Sequence, residues 1–594
     1  MCGFAGELRW DGADSDLSAL ERMNQSLRPR GPDSGGVMQR GALGLSHRRL
    51  TIIDLSPAGE QPMVDAELGL SLIFNGCIYN YRELRAELQG AGYRFFSSSD
   101  TEVILKAYHR WGPRCVERFL GMFAFVIAER DTGRLVMARD RLGIKPLYIA
   151  RQAKRLVFGS TLQAIVAAGD VDTSIDVQAL HHYLSFHSVV PAPLTILKGV
   201  RKLPAATVRI VQPDGEETDT LYWRPRFSRD PSERNLSAAA WQERILGKLA
   251  QAVERRMVAD VPTGVLLSGG LDSSLIVGLL AHAGQKHLKT FSIGFEPAGG
   301  MSGDEFEYSD LIAQTFGTEH QRIRIADAQL VPAVVPAVRA MSEPMVSHDA
   351  VAFYLLSREV VKSVKVVQSG QGADEVFAGY EWYPPLAGVK PESALDAYSG
   401  AFFDWTHAEL AGMVTPEFLA DTDVSRDFVR QHFDAPDADT ALDRALRIDS
   451  LVMLIDDPVK RVDNMTMAWG LEGRVPFLDH ELVELAARCP PELKLAQGGK
   501  GVLKEAARAL LPAAVIDRPK GYFPVPGIRH LEGDLLGLVR DALLSQPARD
   551  RGIFRREFIT TLLDEPNRLR SNLGVNALWH AGLLELWLQE LTRK

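Results

Sequence analysis

Residues 266–274 read LLSGGLDSS, and the reading of this stretch decides the fold of the second half of the chain. An apolar strand, GVLL, runs into Ser268, Gly269 and Gly270, and a helix starts near Asp272. Glycines let backbone N–H groups approach an anion with no Cβ in the way. The helix N-terminus adds unpaired N–H donors and the positive end of a dipole. Ser268, Ser273 and Ser274 can add hydroxyl donors. The spacing is not GxxxxGK[ST], so the loop is not of the Walker type, and pyrophosphate is its natural guest. A strand–helix turn that merely needs glycine explains SGG alone. It does not explain S-G-G-x-D-S-S behind an apolar strand.

A second loop, SGQGADE at 369–375, also follows an apolar run, VKVV. Asp272 and Asp374 are hard oxygen ligands suited to Mg²⁺ on a pyrophosphate. Together the loops resemble those of the PP-loop ATP pyrophosphatases, which split ATP between its α- and β-phosphates. The surroundings agree. GVLLSGG and KTFSIGF read as strands, LDSSLIVGLLAHAG and DEFEYSDLIAQTFG as helices, and VKVVQSGQGADEVFAGY as a strand and turn. Such alternation predicts parallel βαβ units. From YEWYPPL onward the pattern is mostly helical.

Upstream the rhythm differs. LGLSHRRLTIIDL, LSLIFNGCIYNY, GMFAFVIAERDTGRLVMARD and PLYIARQAKRLVFGS read as strands, with a hairpin turn at Gly133. Helices are expected around LSALERMNQSL and TEVILKAYHRWG. The result is an α/β layer with antiparallel strands. A polar stretch, QPDGEETDTLYWRPRFSRDPSERN, has the Pro, Gly and charge density of a linker. The division is therefore 2–213, a linker over 214–236, and 237–594.

A chain of 594 residues needs two or more domains. Its 46% hydrophobic and 24% charged residues are an ordinary globular balance. A net charge of −9 without single-sign runs argues against nucleic-acid or anionic-membrane partners. The four cysteines, at 2, 77, 115 and 489, form no CxxC pair, so neither a disulfide framework nor a zinc site is expected. No apolar stretch is long enough to span a bilayer, and no signal peptide is visible. A cytoplasmic location is expected.

The chain begins MCGFAGELRW. With Met1 removed, Cys2 carries a thiol and an α-amine of reference pKa near 8 that can take the thiol proton. Nucleophile and base then share one residue. RPRGPDSGG, HRRLTIID, QPM, FNGCIYNY, SSSDTEVIL, GMFAFVI and ARDRLGIKPLY follow in order. This series closely resembles the glutaminase domain of class II amidotransferases, an N-terminal-nucleophile (Ntn) αββα fold. The resemblance implies that Cys2 attacks the side-chain amide of glutamine and releases ammonia. It implies that Asn75 and Gly76 form the oxyanion hole and that Arg49 binds the glutamine carboxylate. Asp100 would bind its α-amine, with Leu50 and Cys77 in the same pocket.

The second half resembles the asparagine synthetase family through GVLLSGGLDSS, SGQGADEVFAGY, VKRVDNMTMAWGLEGRVPFLDHELVELA and GGKGVLKEA. That implies a PP-loop parallel α/β domain with a helical C-terminal part. By resemblance, ATP meets Leu266, Ser268, Gly269, Gly270, Asp272, Ser273, Ile293, Ser369 and Gly370. Asp272 and Asp374 hold Mg²⁺, and Lys500 stabilises charge on the adenylate. The joint architecture implies that ATP adenylates a carboxylate and ammonia converts it to an amide.

Two matched positions depart. NGC, with Cys77, stands where the family usually has NGE, and SGQG, with Gln371, where it has SGEG. Gln371 cannot take a proton. SEPMVSHDAVAFYLLSREV, VVQSGQGADE, LIDDPVKRVDNMTMAWGLE, DRPKGYFPVPGIRHL and SFHSVVPAPLTIL together look like the N-acetylglutaminylglutamine amidotransferases. These bacterial enzymes make an osmoprotectant dipeptide amide. Ser347 and His348, with Gln371, are then expected to line a larger acceptor pocket. An aspartate-using asparagine synthetase is the main alternative. A β-lactam-synthetase-like cyclase with a dead glutaminase, and a non-catalytic binding protein, are disfavoured by the intact Cys2 set and SGGLDSS. Partners are glutamine, ATP and the carboxylate acceptor; a homodimer stays open.

Overall fold

The structure is a computed structural model that describes residues 2–296, 303–519, 521 and 525–593. Met1 and, within DRPKGYFPVPGIRHL, residues 520 and 522–524 lie outside the described residues.

The first half forms two six-stranded antiparallel sheets. One contains Gly3–Arg9 between Leu43–Arg49 and Arg155–Gly159; the other has Leu70–Ile78 beside Gly121–Glu129. Period-two alternation turns Phe4, Leu45 and Phe158 of one sheet onto Ile73, Val126 and Met137 of the other, a dry layer between stacked faces. Leu17–Ser26 covers the outer face of the first sheet, and Tyr81–Gly90 and Asp100–Trp111 that of the second. This is the expected αββα sandwich. Gly133 turns the hairpin with φ +72°.

The second half is built on a five-stranded parallel sheet. Thr263–Leu266 is central, with Lys289–Phe295 and Glu319–Ile325 on one side and Val366–Gln368 and Glu472–Arg474 on the other. The chain order reverses direction between Thr263–Leu266 and Val366–Gln368. Loops leaving the carboxyl ends of two such strands diverge and open a crevice for ligands. Both glycine loops, 267–270 and 369–372, leave the sheet there.

The halves are locked by buried charges. Arg30 grips Asp463 at 2.8 and 3.2 Å, and Lys145 Nζ reaches the same carboxylate at 3.3 Å. Lys202 donates to Glu343 at 2.9 Å and to Asp456 at 2.7 Å.

Three local expectations differ. Within the expected linker, Glu217–Leu221 is a strand pairing with Thr207–Val211 at the sheet edge. The run LGLSHRRLTIIDL stops being a strand at Arg49. The turn after VKVVQ contains a short helix, Ala373–Phe377. All four cysteines are unpaired and buried. Among the described residues, no helix is long and apolar enough to cross a membrane.

Candidate functional site

Cys2, Arg49, Leu50, Gly76, Cys77 and Asp100 line one cavity. Cys2 immediately precedes the interior strand Gly3–Arg9 and is 8% exposed; burial pushes its thiol up. Its backbone N–H donates to Asn75 Oδ1 at 3.1 Å. That contact fixes the amide's orientation, because a nitrogen there would face donor to donor. Asn75 Nδ2 is consequently a buried N–H donor with no partner. Such a group costs free energy in the resting protein; Asn75 is fully buried behind the cavity wall and does not itself line the cavity. Ser99 caps helix Asp100–Trp111 by accepting the Thr101 N–H. This sets Asp100 in the first turn, where its carboxylate accepts the Ile78 N–H at 3.0 Å. Burial raises Asp100 to about 6. Arg49 donates to the carbonyls of Ser56, Ile53 and Asp54, bending residues 50–56 along the cavity.

Two wall residues come from the other domain and were not singled out in the sequence. Glu472 and Arg474 lie on the last strand of the parallel sheet, yet both line the glutamine-side cavity. Arg474 pairs with Glu472 at 2.5 Å and points a second nitrogen at Cys77 Sγ, 3.7 Å away. The only signal was the motif GLEGRVPFLDH, which carries no mark of that destination.

The larger cavity, of about 310 Å³, lies at the sheet crevice. Leu266, Ser268, Gly270, Asp272, Ser273, Ile293, Ser369 and Gly370 all line it. Helix Leu271–His282 begins at Gly270 with no side-chain cap, and its first residues, Leu271, Asp272 and Ser273, line the cavity. The Ser268 N–H donates to Ser273 Oγ at 3.2 Å, drawing the loop tight. Gly269 has φ +75°, and a Cβ there would lie 2.6 Å from Ser309 N, so glycine is required by both conformation and space. Ser274 is fully buried and does not line the cavity.

Lys500 closes this site. Its Nζ stands 2.6 Å from Asp272 and 2.9 Å from Asp374. Burial works against its charge, but the two carboxylates hold its pKa above the ordinary lysine value. It reaches them across Gly379, where a Cβ would come within 2.1 Å of Asp374 Oδ1 and 2.2 Å of Lys500 Cε. Asp272 and Asp374 are two hard oxygen donors that meet at the Lys500 ammonium; among the described residues no third acidic, His or Cys ligand joins them, so they would suit Mg²⁺ only with phosphate oxygens completing the set.

Gln371 also lines this cavity, as do Tyr380 and Asp349. Ser347 and His348 do not, which corrects the expectation for them. Ser347 Oγ accepts the Asp349 N–H where helix Asp349–Val360 starts. His348 packs on Trp579, ring centroids 5.2 Å apart, and burial lowers it to about 4. The turn of the helix start carries the next side chain, Asp349, to the cavity instead.

The arrangement thus places a thiol beside an unpartnered amide N–H in one domain and a glycine-loop crevice closed by a lysine in the other. Comparison with known proteins agrees in both parts. The asparagine synthase family model matches residues 244–589, and the glutamine amidotransferase domain model matches residues 1–223. Asparagine synthetase [glutamine-hydrolyzing] 1 of Bacillus subtilis is 32% identical over 95% of this chain and 93% of its own. A putative asparagine synthetase [glutamine-hydrolyzing] of Mycobacterium bovis is 34% identical over 99% and 97%. Asparagine synthetase B [glutamine-hydrolyzing] of Escherichia coli is 28% identical over 88% and 82%.

Proposed function

The chain belongs to the asparagine synthase family of glutamine-hydrolysing amide ligases, and from that premise we propose that its acceptor is the C-terminal carboxylate of N-acetylglutaminylglutamine. The observation that carries the proposal is Gln371, a neutral amide in the wall of the acceptor cavity. It can donate to and accept from an amide-rich ligand but cannot act as a base.

The reaction runs in two places. With Met1 removed, the α-amine of Cys2 takes the thiol proton, and sulfur attacks the side-chain amide carbon of glutamine. Asn75 Nδ2 and the Gly76 N–H hold the oxyanion. Ammonia leaves with the proton, and water frees glutamate from the thioester. Asp100 pairs with the α-ammonium of glutamine, and Arg49 places a positive charge on the wall that meets its carboxylate. The second half binds ATP with its phosphates on residues 268–273. An acceptor carboxylate oxygen attacks the α-phosphorus and pyrophosphate leaves. Ammonia then attacks the acyl carbon, and AMP departs as the amide forms and one proton is released. Lys500 faces the charge on adenylate and pyrophosphate. Mg²⁺, held by Asp272 and Asp374, would neutralise phosphate charge there.

Aspartate is the second reading, favoured by the names of the relatives. ATP–pyrophosphate exchange with a panel of carboxylates separates the two. Exchange supported by the acetylated dipeptide and not by aspartate is expected; the reverse would overturn the proposal.

A further inference from the structure

Nucleotide binding leaves part of the synthetase cavity unexplained. Helices Asp349–Val360 and Lys460–Met467 pack on each other and bring Asp349, Phe353, Leu356 and Arg461 to the lining. Arg461 is 7% exposed. Its Nε is buried without a partner among the described residues, and its ion pair with Asp457 is long at 3.4 Å. Asp349 likewise lines the cavity, and burial raises its carboxyl above the usual range. The Arg461 guanidinium and the Asp349 carboxyl thus open into one cavity, near enough to act on each other's charge but with no hydrogen bond between them among the described residues. Buried charges left so are costly, and a cleft is where a ligand can satisfy them.

Their position identifies the ligand's side. Asp463, on the same helix as Arg461, takes Arg30 and Lys145 from the glutaminase domain. Arg461 lies two residues away, on the opposite face of that helix, and opens into the cavity whose other wall carries Ser268, Gly270, Asp272 and Ser273. With the nucleotide's phosphates on that loop, the rest of the acceptor extends along the remaining lining, past Arg461 and Asp349. The other two residues from these helices, Phe353 and Leu356, are apolar. That suits a neutral polar side chain on a short methylene stem.

We infer that Asp349 and Arg461 are the acceptor-recognition pair, Arg461 donating to the oxygen and Asp349 accepting from the nitrogen of a carboxamide side chain. The identity of that group rests on the dipeptide reading above; the role of the pair is tested separately.

The test is ATP–pyrophosphate exchange by the full chain with N-acetylglutaminylglutamine and N-acetylglutaminylalanine. Wild type, Arg461→Gln and Asp349→Asn are compared. A site built to bond a polar group rejects the analogue lacking it, so wild type should prefer the glutamine dipeptide at least ~30-fold in kcat/KM. Each variant should lose most of that preference through KM for the glutamine dipeptide, with KM for ATP held. Equal losses for both dipeptides, or a matching loss of ATP binding, would show a structural role and overturn the inference. If Arg461→Gln also loses glutaminase activity, Arg461→Lys, which keeps charge without the planar fork, gives the same comparison. If wild type ignores both dipeptides, the acceptor reading falls. The pair is then scored on whichever carboxylate supports exchange: a raised KM keeps it and an unchanged KM sinks it.

Discussion

Asn75→Ala isolates one donor. Asn75 is fully buried, its Oδ1 is engaged by the Cys2 N–H at 3.1 Å, and its Nδ2 has no partner. Removing one oxyanion-hole donor typically costs about 10²–10³ in kcat, or roughly 2.7–4 kcal/mol. Because Nδ2 meets charge that exists only in the transition state, KM for glutamine should move little. Stability should also move little. Loss of the Cys2 bond costs about 0.5–1.5 kcal/mol, while deleting an orphaned donor returns about 1–3 kcal/mol, partly offset by the space left behind. The assay is glutamate release at saturating glutamine, beside amide synthesis from free ammonia. The expected result is a loss of glutamate release of about 10²–10³-fold, with ammonia-supported synthesis unchanged. A loss under about tenfold, or an equal loss of ammonia-supported synthesis, refutes the oxyanion argument.

Cys2→Ala should abolish glutamate release and spare ammonia-supported synthesis; continued glutamine hydrolysis would place the nucleophile elsewhere. Asp100, raised to about 6 by burial, is a carboxylate above that pH and neutral below it. Only the anion pairs with an α-ammonium, so kcat/KM for glutamine should fall about tenfold per pH unit below 6 while ammonia-supported synthesis does not follow. Asp100→Asn should abolish that dependence, and a persisting limb would assign it to another group. Gly379→Ala drives a methyl group into Asp374 and Lys500, so pyrophosphate exchange should drop at least ~100-fold with glutaminase activity retained; normal exchange would mean that Lys500 works from another position. Gln371→Glu adds a negative charge beside anionic phosphate, a repulsion of up to roughly 4 kcal/mol at 4 Å and an effective dielectric of ~20. Use of the acetylated dipeptide should weaken without efficient asparagine synthesis appearing; a gain of aspartate use with the dipeptide retained would defeat the charge argument.

Local chemistry was legible and long-range assembly was not. The strand–glycine loop–helix geometry could be read because its parts are contiguous in residues 263–274. Cys2, Asn75 and Asp100 needed a family resemblance to be joined, since they lie just before one strand, on a second strand and on a helix. Glu472 and Arg474 could not be read as glutamine-side wall, because nothing local links them to Cys77, 397 residues from Arg474. The strand Glu217–Leu221 looked like linker because it is an edge strand, mostly exposed, without alternating burial. The helix Ala373–Phe377 is too short to show a 3.6-residue period. Ser347 and His348 missed the cavity by a register of one or two residues. At a helix start each residue rotates the side chain by about 100°, and it is Asp349 that faces the cavity.

The most direct test supplies the full chain with amide-¹⁵N glutamine, ATP, Mg²⁺, N-acetylglutaminylglutamine and aspartate together, and follows the products by mass spectrometry. The account predicts dipeptide amide carrying ¹⁵N, with AMP and pyrophosphate formed in equal amounts and aspartate untouched. Labelled asparagine with unchanged dipeptide, or ADP in place of AMP, would contradict it.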